Sequence, residues 1–182
     1  GMGFIEETGA AQHYRDARIL PIYEGTTGIQ AADLAGRKIL HDKGAAAEEY
    51  LDELDSFINR LNGIEGEDIA VIRHHLATGI DHLQQAVDWL LEAGPANPDA
   101  AATASTYLLK LFGLVAGGTM MAKAAVIATE NLAAGEGDSD FYEAKIITAR
   151  FFAENILSQS SGLMTPIMQG HNTVRGLSLE QL

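Results

Sequence analysis

Cysteine is absent from the 182-residue chain. Disulfide staples, thiolate zinc sites and cysteine nucleophiles are therefore excluded. Basic side chains are scarce: 12 Lys and Arg stand against 25 Asp and Glu, for a net charge of −13. A nucleic-acid backbone or an anionic bilayer would be repelled, so neither nucleic acid nor membrane insertion is expected. Long hydrophobic runs are missing too. The longest uncharged apolar stretch, 111–122, holds 12 residues, fewer than the about 20 that cross a bilayer. No basic stretch followed by an apolar one opens the sequence, which leads to the expectation of a cytoplasmic protein. Sustained strand alternation bounded by hairpin turns is lacking as well.

What is present is a globular composition, 47% apolar and 20% charged, with helical periodicity throughout its larger part. Acidic charge concentrates in 45–70, where eight acids face one base. The composition shifts near Gly44, so the chain divides into 1–44 and 45–182. In the second part Leu51, Leu54, Ile58 and Leu61 mark a helix over about 45–62, ended by Asn62-Gly63. Ile69, Ile72, Leu76, Ile80, Leu83, Val87 and Leu90 recur at steps of three and four, an a/d seam over three heptads. Gly94-Pro95 stops that helix and Pro98-Asp99 opens the next, over about 99–133, which is apolar on most faces. Its Gly113 and Gly117 are spaced to admit a neighbouring backbone. A turn over 135–139 leads to a last helix over about 140–160, with Tyr142, Ile146, Ala149, Ala153 and Ile156 inward. The expected fold is all-α: an up-and-down bundle of about four long helices, preceded by one or two shorter ones.

The first 44 residues carry the local signals. A short helix is expected over 8–18, then a loop through Pro21 and Gly25. Thr27-x-x-Gln30 has the capping-box pattern and opens a further helix through about Lys38. Glu24 stands on the loop before that helix, where the helix dipole favours its ionised form. Gly25 permits a backbone geometry that leaves the peptide N–H beside Glu24 open to a ligand. From these residues alone two readings stand: a reactive carboxylate beside a ligand-binding turn, or a solvated acid ahead of an ordinary helix cap.

Tyr14-Arg15-Asp16-Ala17-Arg18-Ile19 followed by Tyr23-Glu24-Gly25-Thr26-Thr27-Gly28-Ile29-Gln30, behind a Gly-x-Gly-Phe opening at 1–4 and two acids, resembles the active-site stretch of the acyl-CoA dehydrogenases. The resemblance implies that Glu24 is the catalytic base, removing a proton from the carbon alpha to the thioester while a hydride leaves the beta carbon for FAD. It implies substrate contact at Glu24 and Gly25, through a backbone N–H on the thioester oxygen. FAD contact is implied at Thr26 and at Gly28, which stands where the family often has a larger polar residue. Residues 45–182 resemble the extra helical region appended to longer members of that family, a group that includes enzymes acting on methylthio-propionyl-CoA. By the same resemblance the partners are an acyl-CoA substrate and an electron-accepting flavoprotein, in a homo-oligomer. The family builds its flavin site largely from domains outside these 182 residues, so this piece is expected to be a C-terminal portion, inactive alone and without bound FAD.

Other candidates carry less. His74, His75 and His82 share one helix, but neither His-Glu-x-x-His nor paired Glu-x-x-His spacing accompanies them, and no metal site is expected. Ser158, Ser160 and Ser161 have no base partner recognisable in the sequence, which argues against a hydrolase triad. Gly117-Gly118 lacks the Lys-Ser or Lys-Thr of a phosphate loop. The alternative to a dehydrogenase portion is a non-catalytic helical module for oligomerisation, with the Tyr-Glu-Gly segment a structural remnant.

Overall fold

The computed structural model describes the chain apart from Pro21, Glu24, Arg175, Leu177, Ser178, Leu182 and the side chain of Leu179. Among the described residues there is no strand. The helices are α1 (Ala10–Ile19), α2 (Thr27–Ala32), α3 (Ala45–Leu61), α4 (Glu67–Ala93), α5 (Pro98–Ala134), α6 (Ser139–Asn155) and α7 (Ser161–Gln169). The all-α bundle read from the sequence is the observed fold.

Each long helix starts and stops where the local chemistry directs. Asp42 accepts from the N–H groups of Gly44 (3.0 Å) and Ala46 (3.1 Å), so it caps α3 from within the turn. Arg73 donates to the Leu61 carbonyl at 3.3 Å and closes the other end. Asn97 caps α5 through Ala100 N–H, with Pro98 in the first turn, where its missing N–H costs nothing. At the far end of α5, Gly135 takes a left-handed φ of 69° and Glu136 N–H reaches back to the Asn131 carbonyl. Asp138 then caps α6.

Side-chain pairs give the directions of the helices. Tyr50 stacks on Phe112, Lys123 stands over Phe57 and Arg60 pairs with Glu130. Numbers rise together in these pairs, so α3 and α5 are parallel. Arg150 meets Asp68, and His82 meets Ser160, so α4 and α6 with the turn that follows it are parallel as well. Phe152 lies against Gly117 while Tyr142 and Lys145 share a cleft with Ala124 and Ala128, so α5 and α6 are antiparallel. The order α3-α4-α5-α6 is therefore up-down-up-down.

The a/d seam of α4 forms the centre. All seven of its residues are buried, none more than 5% exposed. Burial of each such side chain is worth about 1.5–3 kcal/mol. The α5 helix is long and apolar enough to cross a membrane by length and composition, but in this fold it is packed between α4 and α6 with its apolar window partly buried. The expectation of burial on most faces fails at Met120 and Ile127, which form one exposed stripe of α5, and at Tyr107, which is exposed on another face.

Three further features differ from those expectations. The last long helix stops at Asn155, five residues before its expected end, because Leu157 turns inward as a knob between two glycines. A β-carbon on Gly118 would lie 2.7 Å from Leu157, and one on Gly79 would lie 3.0 Å from it. Gly118 is thus the close-approach position, together with Gly117 beneath the Phe152 ring, whereas Gly113 faces open space. After this turn comes α7, which the apolar pattern did not announce because Pro166 lies inside it.

The third difference lies at the joint between the two parts. Beyond α2 the chain continues over Asp33–Leu40 as a π-helix. His41 N–H donates to the Gly36 carbonyl, and Gly44 N–H to the Ile39 carbonyl, both at 2.9 Å and both five residues back. Ala35 and Ile39 stay buried on its inner face, against α3, α4 and α5.

Candidate functional site

The Tyr-Glu-Gly segment leaves α1 through a tight turn in which Ile22 and Tyr23 N–H groups donate to the Ile19 carbonyl, at 2.9 and 3.2 Å. Glu24, the expected base, lies outside the described residues. Its neighbour Gly25 has a φ of +98°, a left-handed conformation that favours glycine. A β-carbon there would also meet the Ile29 side chain at 3.0 Å. Both restrictions single out glycine at this position.

Thr26 caps α2, its hydroxyl accepting from Ile29 N–H at 3.4 Å and its carbonyl from Gln30 N–H at 3.0 Å. The cap is one residue earlier than the Thr27 of the capping-box pattern; Thr26 has the extended φ/ψ that a cap requires, while Thr27 is already helical. Thr26 and Gly28 are exposed, and a β-carbon on Gly28 would meet only the Thr26 hydroxyl, at 3.8 Å. The backbone over 25–28 therefore presents an open, side-chain-poor surface that a bulky ligand could approach closely.

One helical turn further on, a polar groove of about 470 Å³ is lined by Ile29, Gln30, Asp33, Arg37 and Lys38. Arg37 grips Asp33 with two hydrogen bonds, of 2.6 and 3.1 Å. That bond holds the Asp33 carboxyl below its ordinary range and raises the Arg37 guanidinium above its own. The sequence reading had not singled out this groove, although an acid and an arginine four apart on a helix were legible as a pair.

The remaining candidates resolve into structural roles. His82 Nδ1 lies 2.9 Å from the Ser160 hydroxyl, so Ser160 does have an imidazole partner, one 78 residues away and invisible to local spacing. Ser160 is 1% exposed, which leaves no approach for a substrate. The pair fastens the turn after α6 to α4. His74 and His75 make an edge-to-face contact, and among the described residues no group of three His, Asp or Glu gathers in metal-binding geometry. Arg150 bridges Glu67, Asp68 and Glu154, at 3.1, 2.8 and 3.0 Å, and ties α6 to the start of α4. Hydrogen bonds that Arg150 donates to those carboxylates raise its affinity for its proton.

Two family models match the chain. Residues 38–178 match the model described as acetyl-CoA dehydrogenase C-terminal like. Residues 1–39 match the acyl-CoA dehydrogenase C-terminal domain. The chain belongs to the acyl-CoA dehydrogenase family and corresponds to its C-terminal portion. It is 45% identical over 167 residues, 88% of its length, to a 3-methylmercaptopropionyl-CoA dehydrogenase of Ruegeria pomeroyi, of which it covers 27%. It is 32% identical over 164 residues, 86% of its length, to a broad-specificity linear acyl-CoA dehydrogenase of Mycobacterium tuberculosis, again covering 27%. A 36-residue stretch, 20% of the chain, is 58% identical to the mitochondrial short-chain specific acyl-CoA dehydrogenase of Homo sapiens and covers 9% of it. The chain thus spans about a quarter of the length of its long relatives.

Proposed function

We propose that this chain is the C-terminal part of an FAD-dependent acyl-CoA dehydrogenase that oxidises the alpha–beta bond of an acyl-CoA thioester, with Glu24 as the base. The observation that carries this reading is the left-handed Gly25 set between the Tyr23-Glu24 pair and a helix capped by Thr26. It holds an open backbone surface beside the one carboxylate of the motif. The proton leaves the alpha carbon for the Glu24 carboxylate, and the backbone N–H of Glu24 would donate to the thioester oxygen as it gains negative charge, with Gly25 contacting the substrate beside it. FAD held at Thr26 and Gly28 would supply the acceptor for the hydride that leaves the beta carbon.

The residues present fit that cofactor in part. Thr26 offers a hydroxyl and Gly28 an unobstructed backbone, so both are assigned to flavin contact. The remaining walls of the site belong to the portion of the polypeptide that the long relatives carry and this chain does not. The 182 residues alone are therefore expected neither to retain flavin nor to turn over substrate. The domain division near Gly44 fits the same reading: 1–44 completes the dehydrogenase domain, and 45–182 is an appended bundle. The partners of the whole protein are then an acyl-CoA substrate and an electron-accepting flavoprotein, and its assembly a homo-oligomer.

Glu24→Gln in the whole protein tests the assignment. Turnover should fall by about 10²–10⁴-fold, with flavin content and circular dichroism unchanged. Turnover within a few-fold of the unmodified enzyme would exclude Glu24 as the base. Flavin that co-purifies tightly with the isolated 182-residue chain would overturn the assignment of most of the flavin site to other parts of the polypeptide.

A further inference from the structure

Met120 and Ile127, seven residues apart, lie on one stripe of α5 and are 63% and 56% exposed. On α6, Phe141, Ile147 and Phe151 are each more than half exposed. The two helices join at an apolar cleft of about 180 Å³ lined by Ile127, Phe141 and Tyr142, and Phe151 and Ile147 continue the exposed face of α6 beyond Phe141. Lys123 and Lys145 flank the strip, each standing over an aromatic ring, Phe57 at 5.7 Å and Phe141 at 5.0 Å. Large side chains exposed together in this way mark a surface that another surface covers.

We propose that this α5–α6 strip is the seat of the dehydrogenase body, the part of the polypeptide that the long relatives carry outside the 27% matched by this chain. The inference rests on the reading of the chain as part of a dehydrogenase. Two observations favour that occupant. The dehydrogenase-domain match ends at residue 39, and the helix inside it, α2, packs directly on α5, the helix that bears half of the strip. A body that continues the dehydrogenase domain is therefore already anchored on α5. The segment that leads into it, with Tyr14, Leu20, Ile22, Tyr23 and Ile29 exposed, needs cover from the same body. The covering surface is apolar, with acidic groups at its rim opposite Lys123 and Lys145. The appended bundle then supports the catalytic body from two sides, through α1–α2 and through the strip.

Photo-crosslinking in the whole gene product tests this. The photoreactive p-benzoylphenylalanine replaces Phe151 in one preparation and Ile147 in another, with Glu53 on the acidic exposed face of α3 as control. Isotopically heavy and light protein are mixed and taken through unfolding and refolding, so that mixed oligomers form, before irradiation, and cross-linked peptides are identified by mass spectrometry. The expected result is linkage from 147 and 151 to peptides outside residues 1–182, joining heavy to heavy and light to light only. Heavy-to-light linkage would identify a second copy as the occupant and overturn the proposal. So would linkage no more frequent than at position 53, or a gene product that carries nothing beyond this chain. The readout is packing and not turnover, so it is independent of the outcome of the Glu24→Gln experiment.

Discussion

The α4 seam and the segment around the Tyr-Glu-Gly motif are both rich in large apolar side chains and treat them in opposite ways. Every seam residue from Ile69 to Leu90 is buried against α3, α5, α6 or α7, whereas Ile19, Leu20, Ile22, Tyr23 and Ile29 all stand in solvent. The bundle from α3 to α7 completes its own core. The motif segment does not: it is anchored through Ala31 and Ala35 and leaves its larger side chains unmatched. The contrast separates a part whose sequence answers to stability from a part whose sequence answers to a surface and a chemistry outside it. Helices built only to pack would not leave five such side chains in water within eleven residues.

The sharpest test of this contrast is a pair of truncations. Leu83→Ala, at a fully buried position of the seam, should destabilise the chain by about 2–5 kcal/mol in urea unfolding followed by circular dichroism. Leu20→Ala, in the exposed segment, should change stability by no more than about 0.5 kcal/mol. If Leu20→Ala cost as much as Leu83→Ala, the motif segment would be part of the core and the contrast would collapse.

A smaller effect is expected within α5. Gly118→Ala sets a β-carbon against the buried Leu157 side chain and should cost about 1–3 kcal/mol. Gly113→Ala, five residues earlier and facing open space, should stabilise by about 0.4–1 kcal/mol. The same denaturation experiment reads both, and opposite signs are the expected outcome. Equal signs would mean that Leu157 is not the knob that ends α6.

The smallest effect concerns the joint between the two regions. Tyr50 lies half-buried between α3 and α5 with Leu34 and Ile39 of the π-helix nearby. Burial, with the nearby Glu53 charge, raises its phenol above the ordinary 10.0. A raised folded value means that the contribution is whole below the unfolded value and is lost as pH rises through the folded one. Stability should therefore decline above about pH 10, and Tyr50→Phe should flatten that alkaline limb. A limb of unchanged steepness in Tyr50→Phe would show that this joint does not shield the phenol.

Much of the bundle was legible because helical packing writes itself into the sequence at steps of three and four. The α4 seam is the clearest case: seven residues picked by spacing alone are seven core residues. The opening of α5 at Pro98-Asp99 and the turn at 135–139 were equally readable, since each depends on residues adjacent in the chain. Reading failed where a contact joined distant positions. Ser160 gained His82 across 78 residues, and Leu157 ended α6 by entering a space that glycines on two other helices leave free. At the motif, Gly25 was readable as the residue of a special turn, but the choice of Thr26 over Thr27 as cap depended on which residue turned out to be extended. The π-winding of 33–40 left no mark in the residue pattern, because one extra residue per turn changes hydrogen-bond register without changing composition.

By itself, then, the sequence determined the four long helices, the inward face of α4, the all-α class and the family through the Tyr-Glu-Gly motif, because these follow from neighbours along the chain. Only the tertiary structure decided that α5 keeps one stripe in solvent, that Leu157 is locked between Gly79 and Gly118, and that a π-helix joins the motif to the bundle. These depend on which surfaces meet in space, and a surface left without a partner shows only after every other surface has found one.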